Sequence, residues 1–67
     1  MKEEIVKKIL ETLDTINYLS TQEVSKRIGK HWFTTKDYLR EMEINGLVQK
    51  IDIDSKSNSK SVWRKNK

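Results

Sequence analysis

Residues 19–29 read LSTQEVSKRIG, a stretch that contains both the start and the end of one short helix. Ser20 and Glu23 have the spacing of a capping box, in which each side chain accepts a hydrogen bond from the other residue's backbone N–H. Gly29 can adopt the left-handed conformation that ends a helix. The stretch therefore predicts a helix of about two turns over residues 21–28, with its apolar residues, Val24 and Ile28, on the buried side.

A longer helix is predicted on each side of this short one. Residues 3–16 carry apolar side chains at helical spacing: Ile5, Val6, Ile9, Leu10, Leu13 and Ile16. Residues 32–45 place Leu39 and Met42 on an inner face, and the pair Asn45-Gly46 ends the helix.

The periodicity changes after this third helix. LVQKIDID, residues 47–54, alternates as a strand does, SKSNS is a polar loop, and KSVWRK, residues 60–65, can pair back as a second strand. We expect one α+β domain over residues 1–67, with three helices followed by a two-stranded hairpin at about residues 47–65.

The order and spacing of these motifs resemble the winged helix-turn-helix transcriptional regulators of bacteria, archaea and their viruses. LSTQEVSKRIG is followed after nine residues by LREMEINGLV, which fits the closing pattern L-x-x-[LM]-E-x-x-G-L-[VI] of a recognition helix. The match covers residues 19–48, and the hairpin follows where that family has its wing. The resemblance implies a regulator of transcription, such as a repressor, whose third helix enters the DNA major groove while the hairpin meets the backbone or the minor groove.

Charge is distributed unevenly along the 67 residues, whose net charge is +4. Residues 1–25 carry three basic and five acidic groups, whereas residues 26–67 carry eleven basic and five acidic groups. The basic half favours a polyanionic partner, although a Lys-rich surface that only confers solubility has the same composition.

Cysteine is absent from the sequence, which excludes a disulfide framework and a thiolate zinc site. No apolar run has the length of about 18 residues that spans a membrane, and the N-terminal residues lack the apolar region of a signal peptide. We expect a cytoplasmic protein without a cofactor. We expect no enzymatic activity, because no Gly-rich phosphate loop and no recognisable nucleophile–histidine pattern is present.

Candidate DNA contacts fall on the outer face of the third helix and on the hairpin. Cations suit phosphates and base edges, while hydroxyl and amide groups add neutral hydrogen bonds. From Ser55 onward the chain has five cations and no acid. The predicted contacts are Phe33, Thr34, Thr35, Lys36, Asp37 and Arg40 on the helix, and Lys56, Ser57, Asn58, Lys60 and Arg64 on the hairpin.

Each of these assignments has a simpler alternative. Lys36 and Arg40 can be ordinary solvated charges, and Asp37 with Arg40 can form an intrahelical pair. Thr35 stands where the family usually has an apolar residue, so it can be semi-buried. The basic C-terminal segment can be a disordered, solubilising tail.

The aromatic residues raise a separate question. At about 100° per residue, Trp32 falls at the edge of the core, so we expect it to pack against the short helix or the sheet. Phe33 is exposed if the helix includes it and turns inward if the chain is non-helical there. Trp63 is expected to attach the hairpin to the third helix. His31 is expected to serve as a turn or cap residue and not as a metal ligand.

Two other functions fit the sequence. Trp32, Phe33 and Ile44 can form the surface of a winged-helix module that docks another protein. The basic charge alone can support non-specific binding to chromatin or RNA. If the protein binds DNA, we expect a homodimer with contacts through the first helix or Ile44, since two modules discriminate between DNA sequences better than one.

Overall fold

A computed structural model describes residues 2–54 and 59–66, except for the side chains of residues 54, 59 and 60. The elements in chain order are α1 (Glu3–Thr15), α2 (Thr21–Ile28), α3 (Trp32–Ile44), β1 (Val48–Asp54) and β2 (Ser59–Lys65). The strands pair antiparallel in a hairpin. The predicted α+β order, three helices followed by a two-stranded hairpin, is confirmed.

The element boundaries differ from the predicted ones by at most one residue. Helix α1 ends at Thr15 because Ile16 is already extended, with φ −128° and ψ 113°. Helix α3 ends at Ile44, with Asn45 as its C-cap. Strand β1 begins one residue later, and β2 one residue earlier, than the periodicity predicts.

Both ends of α2 form as the sequence predicts. The Glu23 backbone N–H donates to Ser20 Oγ at 3.2 Å, and the Ser20 N–H donates to the Glu23 carboxylate at 3.4 Å. At the other end Gly29 has φ 70°, and the Lys30 N–H donates to the Ser25 carbonyl at 3.1 Å. The capping box and the left-handed Gly29 therefore fix where α2 starts and stops.

A Schellman motif turns the chain from α3 into the hairpin. The Leu47 N–H donates to the Met42 carbonyl at 2.8 Å, and the Gly46 N–H donates to the Glu43 carbonyl at 3.0 Å. Gly46 has φ 76°, a conformation that favours glycine. This turn sets the direction in which β1 leaves α3.

The three helices and the inner face of the hairpin share one core. The buried apolar side chains include the predicted residues of α1, α2 and α3: Ile5, Ile9, Leu13, Val24, Ile28, Leu39 and Met42. The hairpin and the segment before α2 add Val48, Trp63 and Leu19. Val6, Leu10 and Ile16, also in the predicted stripe of α1, are only partly buried against this core.

Leu19 connects the helices to the sheet. It pairs with Trp63 as an isolated bridge, through hydrogen bonds of 3.2 and 2.8 Å between their backbones. The Trp63 indole N–H donates to Thr21 Oγ1 at 2.9 Å. Trp63 therefore attaches the hairpin to the helices, but its hydrogen bond goes to α2 and not to α3.

Across residues 2–54 and 59–66, the helices are too short or too polar to cross a membrane.

Candidate nucleic-acid interface

Helix α3 has one face in the core and another face over a cleft. Thr35, Leu39 and Met42 form the buried face. Trp32, Lys36, Arg40 and Glu43 are spaced by four, four and three residues, so they follow one side of the helix. That side faces the hairpin across the cleft.

The cleft has a volume of about 420 Å³ and lies where α2, α3 and the hairpin meet. Three cations and one acid are among its lining residues, which are Thr21, Trp32, Lys36, Arg40, Glu43, Lys50, Ser61 and Trp63. Lys50 has an ion pair with Asp52 at 3.9 Å, in which both side chains are exposed. The excess of positive charge suits a phosphate group.

The side chains of Lys36 and Arg40 are available to bind an anion. Within the described part of the chain, neither residue has an acidic group within 4.0 Å. The intrahelical pair of Asp37 with Arg40 is therefore absent. Lys36 Nζ instead lies 5.1 Å from the ring centroid of Trp32, within the range of a cation–π contact.

His31, Trp32 and Phe33 form a cluster of three rings at the start of α3. His31 is the N-cap, and its Nδ1 accepts the Phe33 backbone N–H at 3.2 Å. The rings of His31 and Phe33 are stacked, with an interplanar angle of 9° and centroids 5.7 Å apart. Trp32 meets Phe33 edge-on at 5.0 Å. The expected role of His31 as a cap is confirmed.

The exposure of the two larger rings settles the question that the sequence raised. Phe33 is 64% exposed, since α3 already begins at Trp32 and the helical register carries Phe33 outward. Trp32 is 39% exposed, so most of its surface is covered, and it lies next to residues of α2 and the hairpin at the edge of the core, as expected. Thr35 and Leu39 occupy the inner face of α3, and Lys36 Nζ lies over the Trp32 ring.

The predicted DNA contact of Thr35 requires a correction. Its side chain is completely buried, and its hydroxyl donates to the His31 carbonyl at 3.0 Å. That carbonyl also accepts the Thr35 backbone N–H at 3.0 Å. The predicted DNA contact of Thr35 is therefore wrong, because the residue belongs to the core and to the first turn of α3. Its neighbour Thr34 is exposed.

The remaining predicted residues of α3 are all exposed. Lys36 and Arg40 meet at the cleft, whereas Asp37 lies one turn after Phe33 on the side away from it. The structure thus brings Lys36 and Arg40 together at the cleft, which Asp37 does not line.

Arg64 does not join this cleft. Arg64 is half-buried and lines a different cleft, together with Asp14, Asn17 and Tyr18. In the hairpin, neighbouring side chains point to opposite faces, so Arg64 and the cleft-lining Trp63 lie on opposite sides. We therefore leave Arg64 out of the interface. Lys56, Ser57, Asn58 and the side chain of Lys60 lie outside the described residues.

Six residues that line the cleft are absent from the predicted DNA contacts: Thr21, Trp32, Glu43, Lys50, Ser61 and Trp63. Lys50 pairs with Trp63 across the hairpin, and Ser61 lies two residues before Trp63 on the same face. The signal that reveals them is the burial of Trp63, which fixes the face of the hairpin that meets the helices.

The surface proposed for protein docking is not continuous. Ile44 is 75% exposed but lies about 16 Å from Phe33 along the axis of α3. Asp37 and Arg40 lie between them on the same face. The aromatic cluster and Ile44 are thus two separate apolar sites.

No protein-family model matches this chain, and a search of curated proteins found no match either. The likeness to winged-helix regulators therefore rests on the order of the motifs and on the fold.

Proposed function

We propose that this protein is a sequence-specific, double-stranded DNA-binding regulator of transcription. In this proposal α3 enters the major groove and the hairpin meets the neighbouring backbone or minor groove. The observation that carries the proposal is the convergence of Lys36, Arg40 and Lys50 on one cleft beside the exposed face of α3.

The two helix cations and the strand cation have different roles in this arrangement. Lys36 and Arg40 lie on α3, from which they can reach base edges or phosphates, and an arginine can donate two parallel hydrogen bonds to guanine. Lys50 is on the opposite wall of the cleft, so it suits the phosphate backbone beside the groove. Thr34 can add a hydroxyl contact at the start of α3.

The biological role follows from occupancy of the DNA. A protein bound in the major groove of a promoter can exclude other proteins from the same base pairs or recruit them, so we propose regulation of transcription by repression or by activation. We place this activity in the cytoplasm, in agreement with a sequence that has no cysteine.

Fluorescence anisotropy tests the proposal. The purified protein is titrated onto a random-sequence duplex and onto DNA from its own promoter region, each at several salt concentrations. We expect promoter binding about a hundredfold tighter than random binding, with a steep salt dependence. Equal affinity for both duplexes indicates non-specific binding through charge, and no binding to either at low salt contradicts the proposal.

We also propose that two copies act together through α1. Val6 and Leu10 remain partly uncovered beside Glu3 and Lys7, and a second copy can bury this face. Light scattering coupled to gel filtration is expected to show a dimer at tens of micromolar, and Leu10→Ala is expected to weaken it. A monomer across that range contradicts the dimer and leaves the DNA proposal intact. The other candidate contact, Ile44, is tested by Ile44→Ala in the same experiment.

A further inference from the structure

The Phe33 ring cannot read base edges by hydrogen bonds, yet it is exposed at the start of the proposed recognition helix. Phe33 has no polar atom in its side chain, and 64% of its surface is exposed. In an intact duplex the faces of the bases are covered by their neighbours, so an aromatic ring reaches only edges, methyl groups and sugars. A base face becomes available where a base is unpaired or unstacked.

The cluster holds Phe33 in a defined orientation. His31 is fixed by its hydrogen bond to the Phe33 backbone, and its ring lies nearly parallel to that of Phe33, at 9°. Trp32 supports the Phe33 ring from the side at 5.0 Å. A ring held in this way loses little conformational freedom when a ligand binds, so more of the contact energy appears as affinity.

The two cations on the cleft side of the cluster favour a nucleic acid over a protein as its occupant, and Asp37, one turn after Phe33, is the acid next to the cluster on the other side. Lys36 Nζ lies over the Trp32 ring at 5.1 Å, and Arg40 follows it one turn later on the cleft side. Aromatic rings beside a groove of positive charge are the combination that binds unstacked bases together with their phosphates.

We propose that Phe33 stacks on a base that is unpaired or lifted from the helical stack, so that this protein prefers DNA with a local distortion where α3 begins. This inference rests on the proposed binding of DNA by α3. It adds a structural preference, for an exposed base face, to the sequence preference described above.

The test compares two short duplexes of the same random sequence, one fully paired and one with a single unpaired adenine at its centre. We expect the unpaired adenine to increase affinity about tenfold, the effect of one stacked base. Phe33→Ala is expected to abolish the increase, so that the variant binds the two duplexes with equal affinity. Phe33→Trp, which retains a stacking ring, is expected to preserve it. Ile44→Ala, the matched control on the same helix, is also expected to preserve it.

A fluorescent base analogue reports the stacking directly. With 2-aminopurine as the unpaired base, the wild-type protein is expected to quench its emission, and Phe33→Ala is expected not to. Equal affinity of the wild-type protein for the two duplexes overturns the stacking proposal and leaves the proposed function standing. An increase that survives in Phe33→Ala also overturns it. If Phe33→Ala loses binding to the paired duplex, the ring contacts the groove of paired DNA and the stacking proposal is wrong. If the wild-type protein binds neither duplex, both the stacking proposal and the proposed function are wrong.

Discussion

The indole N–H of Trp63 donates to Thr21 Oγ1 at 2.9 Å and joins the second strand of the hairpin to the first turn of α2. Trp63 is 3% exposed. Together with the backbone pairing of Leu19 and Trp63, this bond holds the hairpin over the helices and shapes one end of the cleft.

Replacing Thr21 by Val tests this connection. Valine keeps the shape of the side chain but removes the acceptor, so we expect the free energy of unfolding to fall by about 1–2 kcal/mol. Urea unfolding followed by far-UV circular dichroism measures it. Thr15→Val is the control, because Thr15 is exposed and its hydroxyl bonds only within α1. The control is expected to change stability by less than about 0.5 kcal/mol; an equal loss in both variants argues against a specific contribution of the Trp63 bond.

Gly46 provides a test of the turn between α3 and β1. A Cβ at this position meets nothing within 4 Å, but φ is +76°. We expect Gly46→Ala to lower the free energy of unfolding by about 1 kcal/mol, because a left-handed backbone is unfavourable for alanine. Gly46→Asn is expected to lose less, since asparagine tolerates this conformation. Equal stability of wild type and Gly46→Ala in urea unfolding contradicts this explanation.

The variant Thr35→Val tests whether Thr35 belongs to the core or contacts DNA. Thr35→Val retains the volume of the side chain, and the His31 carbonyl keeps its hydrogen bond from the residue 35 backbone. We therefore expect DNA affinity within about twofold of wild type and a stability change below about 1 kcal/mol. Anisotropy and urea unfolding measure the two quantities. A tenfold loss of affinity in a folded Thr35→Val protein restores Thr35 to the interface.

Salt dependence identifies the cations that replace counterions on DNA. Lys36→Gln, Arg40→Gln and Lys50→Gln are each expected to reduce the slope of log affinity against log salt concentration by about one. Lys8→Gln, on α1 and outside both the cleft and the proposed dimer face, is expected to leave the slope unchanged. A reduction of the same size in Lys8→Gln indicates that overall charge, and not the cleft, determines binding.

The sequence predicts the fold well because its signals are local. The capping box of Ser20 and Glu23, the left-handed Gly29 and the turn after Asn45 each depend on residues that are close in the chain, and all of them form as expected. The change of periodicity at β1 is local in the same way. These features determine the order of the elements and most of their boundaries.

The candidate site is less predictable because it depends on contacts between distant segments. Lys50 faces the cleft only because its hairpin partner, Trp63, packs inward. Arg64 looks equivalent to other basic residues in sequence, but the pleat of the strand turns it to the opposite face. Periodicity places Trp32 at the edge of the core, but it does not show that the hairpin forms the opposite wall of the cleft that Trp32 lines.

The most direct test of DNA binding through the cleft compares two triple variants of equal charge. One carries Lys36→Gln, Arg40→Gln and Lys50→Gln, and the other carries Lys2→Gln, Lys8→Gln and Arg27→Gln, which lie on or beside α1 and outside the cleft. Each loses three positive charges, so their net charges are identical. Anisotropy on promoter DNA at low salt is expected to show at least a hundredfold loss of affinity for the cleft variant and less than about a fivefold loss for the α1 variant. Equal losses, or no binding of the wild-type protein, would contradict the proposal that the cleft binds DNA.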